Sequence, residues 1–145
     1  MSELIFNDKD RVGQWVADQV EQTAAWGDFY AMGVERDGDL VAGIVFNNFN
    51  GHNATAHIAV TRPSRALLTL LHHAADYAFR QCGLKRLTGL VDVSNIKSMR
   101  LDEHIGWEKE FVMRSAGADG GDLQVYVLWP DTCRWLRSDE HVPRA

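Results

Sequence analysis

The sequence predicts an α/β fold built on a mixed central sheet, antiparallel first and parallel in the middle, with helices on both faces. Three observations carry this. Apolar runs separated by Asp37-Gly38-Asp39 and by Asn50-Gly51-His52-Asn53 read as strands joined by tight turns, and strands so joined must be antiparallel. The period then changes, with Leu67, Leu68, Leu71, Ala74, Ala75, Ala78, Phe79 and Cys82 at helical spacing. Another strand-like run follows, and a strand–helix–strand unit of this length implies a parallel crossover.

The elements follow in order. Residues 4–6 suit a short first strand. Asn7 or Asp8 caps a helix over residues 9–23, whose stripe is Val12, Trp15, Val16 and Val20, weakened slightly by Gly13. Residues 29–36, 40–49 and 54–60 form a three-stranded meander. The long helix has Pro63 in its first turn and Gly83 as its stop. Residues 85–93 return to strand. Ser94 or Asn95 caps a second, shorter helix with Ser98, Leu101 and Ile105 on one stripe, stopped by Gly106. Residues 107–114 and 123–129 pair as a final hairpin, residues 131–136 add a helical turn, and residues 137–145 are expected to fray.

A chain of 145 residues, 46% hydrophobic and 24% charged, reads as one soluble globular domain over residues 1–145, with no repeat or linker. A formal net charge of −5 and a pI of about 5.6 provide no footprint for nucleic acid. The opening MSELIFNDKD lacks a signal-peptide core, and no apolar run approaches the ~20 residues of a membrane span, so a cytoplasmic location without membrane contact is expected. Cys82 and Cys133 form no motif and read as buried thiols. With no HExxH, no CxxC and no Cys/His cluster, no metal is expected; His72 and His73 are adjacent on a helix and point roughly 100° apart.

Ligands of mixed sheets favour the crevice at the C-terminal ends of parallel strands, here after Val60 and Val93. The helix that follows Val60 presents unpaired N–H groups and its positive dipole end there, flanked by Arg62 and Arg65. Two readings stand: a pyrophosphate cradle, or two solvated arginines capping a turn. Lys85 and Arg86 form a second basic pair that could neutralise a small anion. Among proton acceptors His57 is the first choice, since an imidazole pKa near ~6.5 suits proton removal at neutral pH. Strand alternation puts it with Thr55 and Ala59, opposite Ala54, Ala56, Ile58 and Val60. The other reading makes it a strand residue under a helix, hydrogen-bonded to backbone. His52 and His104 are weaker candidates.

The order of elements and the segment SNIKSMRLDEHIGW, residues 94–107, resemble the GNAT superfamily of N-acetyltransferases over roughly residues 29–129, in the manner of its short bacterial and phage members. In that family an Asn follows the fifth strand, and the next helix ends in a leucine and Gly-Phe. Asn95, Leu101, Gly106 and Trp107 match, with Trp107 in place of Phe. The resemblance implies an acyltransferase that uses acetyl-CoA as donor and acts on an amine of a small molecule or protein. It places the pyrophosphate on the helix start, at Val60, Arg62, Ser64, Arg65 and Ala66. It places the pantetheine between splayed fourth and fifth strands near Asn95, and an oxyanion donor among backbone N–H groups 59–61, near a bulge. On this reading His57 is the base.

The chain departs from the family twice. The usual Arg/Gln-x-x-Gly-x-Gly/Ala loop is replaced by the glycine-free Thr61-Arg62-Pro63-Ser64-Arg65-Ala66. Asp102 stands where many members have a Tyr that protonates the departing thiolate; an Asp does this only with a strongly raised pKa. These departures support an alternative: a non-catalytic binding module without an acyl-CoA site, expected to show an exposed apolar patch or a stable homodimer.

Overall fold

The computed structural model describes residues 2–20 and 25–136. Its elements are β1 (Ser2–Ile5), α1 (Lys9–Gln19), β2 (Phe29–Arg36), β3 (Asp39–Asn47), β4 (Asn53–Val60), α2 (Arg65–Asp76), β5 (Arg86–Asp92), α3 (Ile96–His104), β6 (Glu108–Met113) and β7 (Leu123–Leu128). They build one seven-stranded sheet in the order β1-β2-β3-β4-β5-β7-β6. Only β4 and β5 run parallel; the other neighbours are antiparallel.

The β2–β3 turn rests on Asp37 and Gly38, with φ of 53° and 89°. Two consecutive residues at positive φ match the twist of the strands they join, which is why Asp-Gly serves there. The meander that follows has the boundaries expected from sequence to within two residues.

Three expectations are corrected. α1 ends at Gln19 with Val20 as its C-cap rather than running to residue 23, and residues 21–24 lie outside the described residues, as does the tail at 137–145. Pro63 precedes the helix instead of occupying its first turn: Ser64 is the N-cap and Arg65 the first helical residue. α2 also stops being α-helical at Asp76, and a π-turn over Tyr77–Gln81 follows. A π-turn adds one residue to the helical repeat. It brings Tyr77 onto Tyr30 and Phe46, with ring centroids 4.6 and 5.2 Å apart.

Each sheet face is covered. α1 packs Val12, Val16 and Ala17 with Trp26 against Ala31, Val45 and Ala59. The opposite face carries α2 and α3, with Leu70, Leu71, Ala74, Ile105 and Trp107 over Ile44, Phe46, Ala56 and Leu87. Glycines on the sheet let α1 lie close. A Cβ at Gly43 would stand 2.8 Å from Val16 Cγ2 and 3.2 Å from Val12 Cγ1. Gly13, expected only to weaken α1, is also an approach point: a Cβ there would meet the Phe29 ring at 2.9 Å, and the Trp26 indole donates to its carbonyl at 3.1 Å.

The feature that makes the site is the β4–β5 pair. Its parallel register covers only Asn53↔Arg86, Ala54↔Leu87 and Thr55↔Thr88, pinned by a Thr88 Oγ1–Asn53 Oδ1 hydrogen bond of 2.7 Å. Beyond Thr55 the strands part. β4 continues to Val60 along β3 and β5 continues to Asp92 along β7, leaving an open wedge between them.

Candidate active site

The wedge opens towards α3, which follows β5 directly. Asn95 caps this helix by accepting from Ser98 N–H at 3.1 Å. Seen down the helix, Asn95, Ser98 and Asp102 at i, i+3 and i+7 form one polar stripe, and Lys97, Arg100 and His104 at the same spacing form a second. The first stripe lines the wedge, together with Ala56, His57 and Ile58 of β4 and Leu90 and Asp92 of β5. The second lines a cleft of about 510 Å³ beside Ile58, Val60 and Thr61. On the other side, Asp92, Ser94 and Asn95 share a cavity of about 580 Å³ with Ala118 and Asp119 of the β6–β7 loop. These three spaces share wall residues, Val20 and Asn95 lining all three: a basic lobe, a small waist of about 70 Å³ in the wedge, and an acidic lobe.

Of the donor-binding residues expected from sequence, Val60 and Asn95 line the basic lobe. Arg62, Ser64, Arg65 and Ala66 lie beside it, along the turn and first residues of α2, rather than on its wall. Arg62 and Arg65 are exposed and make no hydrogen bond or ion pair with any described residue, so both cations are free. The Ser64 side chain makes no capping hydrogen bond, and its Oγ is buried without a partner. Arg86 cannot serve an anion as expected, because it holds Glu110 through two hydrogen bonds of 3.0 and 2.8 Å. Sequence reasoning missed Lys97 and Arg100. Their helical spacing is visible in the sequence, but the stripe through Ser98, Leu101 and Ile105 marks only the buried side of the helix.

β4 also differs from expectation. Its register with β3 runs from Ala42↔Val60 to Asn47↔Thr55 without a shift, and the two-on-one pattern of a bulge comes only at its end, where Thr61 N–H and Arg62 N–H both donate to Val41 O at 2.9 and 3.5 Å. Thr61 N–H donates to Val41 O at 2.9 Å and is not free. Alternation along the strand then aims the amides of Ala59 and His57 at β3, and those of Ile58 and Val60 into the wedge. Of the amides 59–61, Val60 alone points into the wedge.

His57 lies on the α1 side, as alternation requires. Its Nε2 is 3.0 Å from Asn47 Oδ1, and its ring packs on Trp26 with centroids 4.6 Å apart. The Asn47 amide nitrogen donates to Trp26 O at 3.2 Å, so its oxygen faces the imidazole and Nε2 carries the hydrogen. The partner is thus a side chain, not the backbone. Burial lowers the His57 pKa to about 4. Asp102 moves the other way. It is 8% exposed, and no described residue makes a hydrogen bond to its carboxyl. Burial, and then the neighbouring Glu103 carboxylate, push it up to about 7.

No protein-family model matches the sequence, and no curated protein sequence matches it. Solved structures do match. A variant of spermidine N-acetyltransferase from Vibrio cholerae superposes with a TM-score of 0.69 at 15% identity, covering 92% of this chain and 96% of that one. The chain has the GNAT fold. The same Vibrio cholerae enzyme in complex with CoA and spermine gives 0.67 at 15% identity over 90% and 96% of the two chains. A probable acetyltransferase gives 0.62 at 19% identity over 90% and 92%. Within this GNAT-fold chain, β4 and β5 pair over only three positions before the wedge opens. No helix among its described residues is long and apolar enough to cross a membrane.

Proposed function

We propose that the protein is a cytoplasmic N-acetyltransferase that uses acetyl-CoA to acetylate a primary amine of a small molecule. One observation carries this: the wedge after Thr55, joined at one end to a lobe carrying Lys97 and Arg100 and opening beside the free Arg62 and Arg65. The residues suit the donor. Four cations and the first N–H groups of α2 meet its phosphates, and Ile58, Val60 and Leu101 give its pantetheine an apolar wall. When bound, the donor supplies an activated acyl carbon to the waist.

The chain's own groups then divide the work. Val60 N–H donates to the carbonyl oxygen, where negative charge develops. Asp102 would take a proton from the incoming ammonium and, as the C–N bond forms and the C–S bond breaks, return it to the departing thiolate while the second amine proton leaves to solvent, because a group near pKa 7 exchanges protons most effectively near neutral pH. His57, expected to be the base, is too weakly basic in its buried setting to take a proton from an ammonium. Its Nδ1 lone pair instead accepts a hydrogen bond that orients the amine. The Tyr-to-Asp difference at position 102 thus changes which acid serves the waist without removing it.

The glycine-free turn at Thr61–Ala66 favours a second reading, a GNAT-fold binding module that takes no acyl-CoA and acts as a homodimer or on a protein partner. Isothermal titration with acetyl-CoA separates the two, followed by thiol release in the presence of primary amines. Micromolar binding and amine-dependent thiol release are expected. Absence of binding with the fold intact overturns the enzyme reading.

A further inference from the structure

Among the described residues, His57 is the only imidazole lining the waist, and a chain of hydrogen bonds anchors it from behind. The Trp26 indole donates to Gly13 O at 3.1 Å, which ties the approach to β2 onto α1. The Trp26 carbonyl accepts from Asn47 Nδ2 at 3.2 Å, at the end of β3. Asn47 Oδ1 then meets two nitrogens, the Asn48 amide at 3.5 Å and His57 Nε2 at 3.0 Å. Trp26 and Asn47 are both buried, so water does not compete for these bonds.

The chain has a direction. A carbonyl only accepts, so Trp26 O draws the nitrogen of the Asn47 amide and leaves its oxygen for His57. The oxygen requires a hydrogen on Nε2, because the other tautomer would set two lone pairs 3.0 Å apart. The lone pair is therefore on Nδ1. That atom bonds no described residue and is not sealed from solvent, and the cavity that His57 lines is the waist. Burial holds the ring's pKa near 4, so no second hydrogen arrives at Nδ1 in the neutral range. The titratable groups sharing the waist are Asp92 of β5 and Asp102 of α3. From β3 its register partner is Val45, and Trp26 lies against its ring; neither titrates.

We propose that Asn47 is a positioning residue: it locks His57 with the hydrogen on Nε2, so that the imidazole offers the waist one hydrogen-bond acceptor, Nδ1, and no donor. A head group entering the waist must bring its own N–H or O–H. One that only accepts, such as a carboxylate or phosphate oxygen, finds no partner on His57. This rests on the enzyme reading only for the identity of that head group as an amine; the tautomer stands on Trp26 O and Asn47 alone. The neutrality of Asn47 is part of the device, since it gives the ring an orientation without giving it a charge. An aspartate in its place would accept from the same Nε2–H, favour the imidazolium and turn Nδ1 into a donor.

The test is two-bond proton–nitrogen correlation NMR of the full chain carrying isotope-labelled histidine, with His57 assigned by the signals lost in His57→Gln. Nε2 is expected to be protonated and Nδ1 unprotonated from pH 5.5 to pH 8. A ring protonated on Nδ1, or one averaging between tautomers, overturns the proposal. Asn47→Asp should raise the His57 titration midpoint by at least about one pH unit, the effect of an opposite charge at this distance, and an unmoved midpoint also overturns it. The wild-type spectra decide should that variant not fold. Thiol release from acetyl-CoA with a primary amine then separates positioning from simple support. Relative to wild type, Asn47→Asp should lose about tenfold in kcat/KM for each pH unit below its raised midpoint, because the charged ring repels the ammonium and Nδ1 no longer accepts. An equal loss at every pH makes Asn47 a packing residue and overturns the proposal. No thiol release from a wild-type chain with the expected tautomer overturns the enzyme reading and leaves the lock standing. Thiol release with the other tautomer does the reverse.

Discussion

Burial and the Glu103 carboxylate push the Asp102 carboxyl from its ordinary 3.8 to about 7, so the folded chain keeps a proton there that the unfolded chain has released. The groups facing it are Glu103 on its own helix, Tyr126 from β7, and His57 and Asp92 across the waist. The linkage has a definite sign. A raised folded pKa gives a stability contribution that is complete below about pH 4 and lost as the pH climbs through about 7. Asp102→Asn removes that slope. Relative to wild type it should gain on the order of 2–4 kcal/mol between pH 4 and pH 8, the scale of a carboxyl shifted this far. Urea unfolding of both proteins at the two pH values measures the difference, and parallel behaviour would show that Asp102 titrates as an ordinary surface acid. The residue type at position 102 was plain in the sequence. Its burial was not, because that depends on β4, β5 and α3 meeting around it.

At the scale of elements, α1 shows how sequence period and close packing differ as signals. The stripe of Val12, Trp15 and Val16 located the helix. The reason it lies flat on the sheet is in β2 and β3, where Gly33 and Gly43 leave room for it. Gly43→Ala would place a methyl group 2.8 Å from Val16 Cγ2, a contact that α1 relieves only by moving outward. Overpacking of this kind costs typically 1–3 kcal/mol, and the denaturant midpoint should fall accordingly with an unchanged m value. An unchanged midpoint would mean that α1 is free to slide. α2 gives the converse case. Its apolar spacing runs smoothly through Tyr77, and nothing in that spacing marks the π-turn, which the ring packing of Tyr77 on Tyr30 and Phe46 accompanies. Pro63 differs from its sequence expectation for a similar reason: local propensity allows the first turn, whereas the chain must first leave β4, held by Thr61 N–H on Val41 O.

At the scale of the molecule, the hairpins and the crossover were legible because turn residues and period are local properties. The wedge was not. It arises because β4 stays with β3 and β5 stays with β7 while the sheet twists, a competition between partners far apart in sequence. The charge layout is also a whole-molecule property. A net charge of −5 would repel a phosphate-rich ligand from the surface as a whole, so under the proposed function donor capture would depend on the local field of Lys97 and Arg100. The double variant Lys97→Ala/Arg100→Ala should weaken acetyl-CoA binding by about tenfold or more at low salt, the worth of two partly exposed charge contacts. Its melting temperature should stay near wild type, because both side chains are exposed and outside the core. Raising salt from 50 to 500 mM shortens the Debye length several-fold, so the wild-type affinity should fall towards that of the variant. Titrations at both salt concentrations test this directly. A variant that binds acetyl-CoA as well as wild type at low salt would move the donor's phosphates off α3 and onto Arg62 and Arg65 alone.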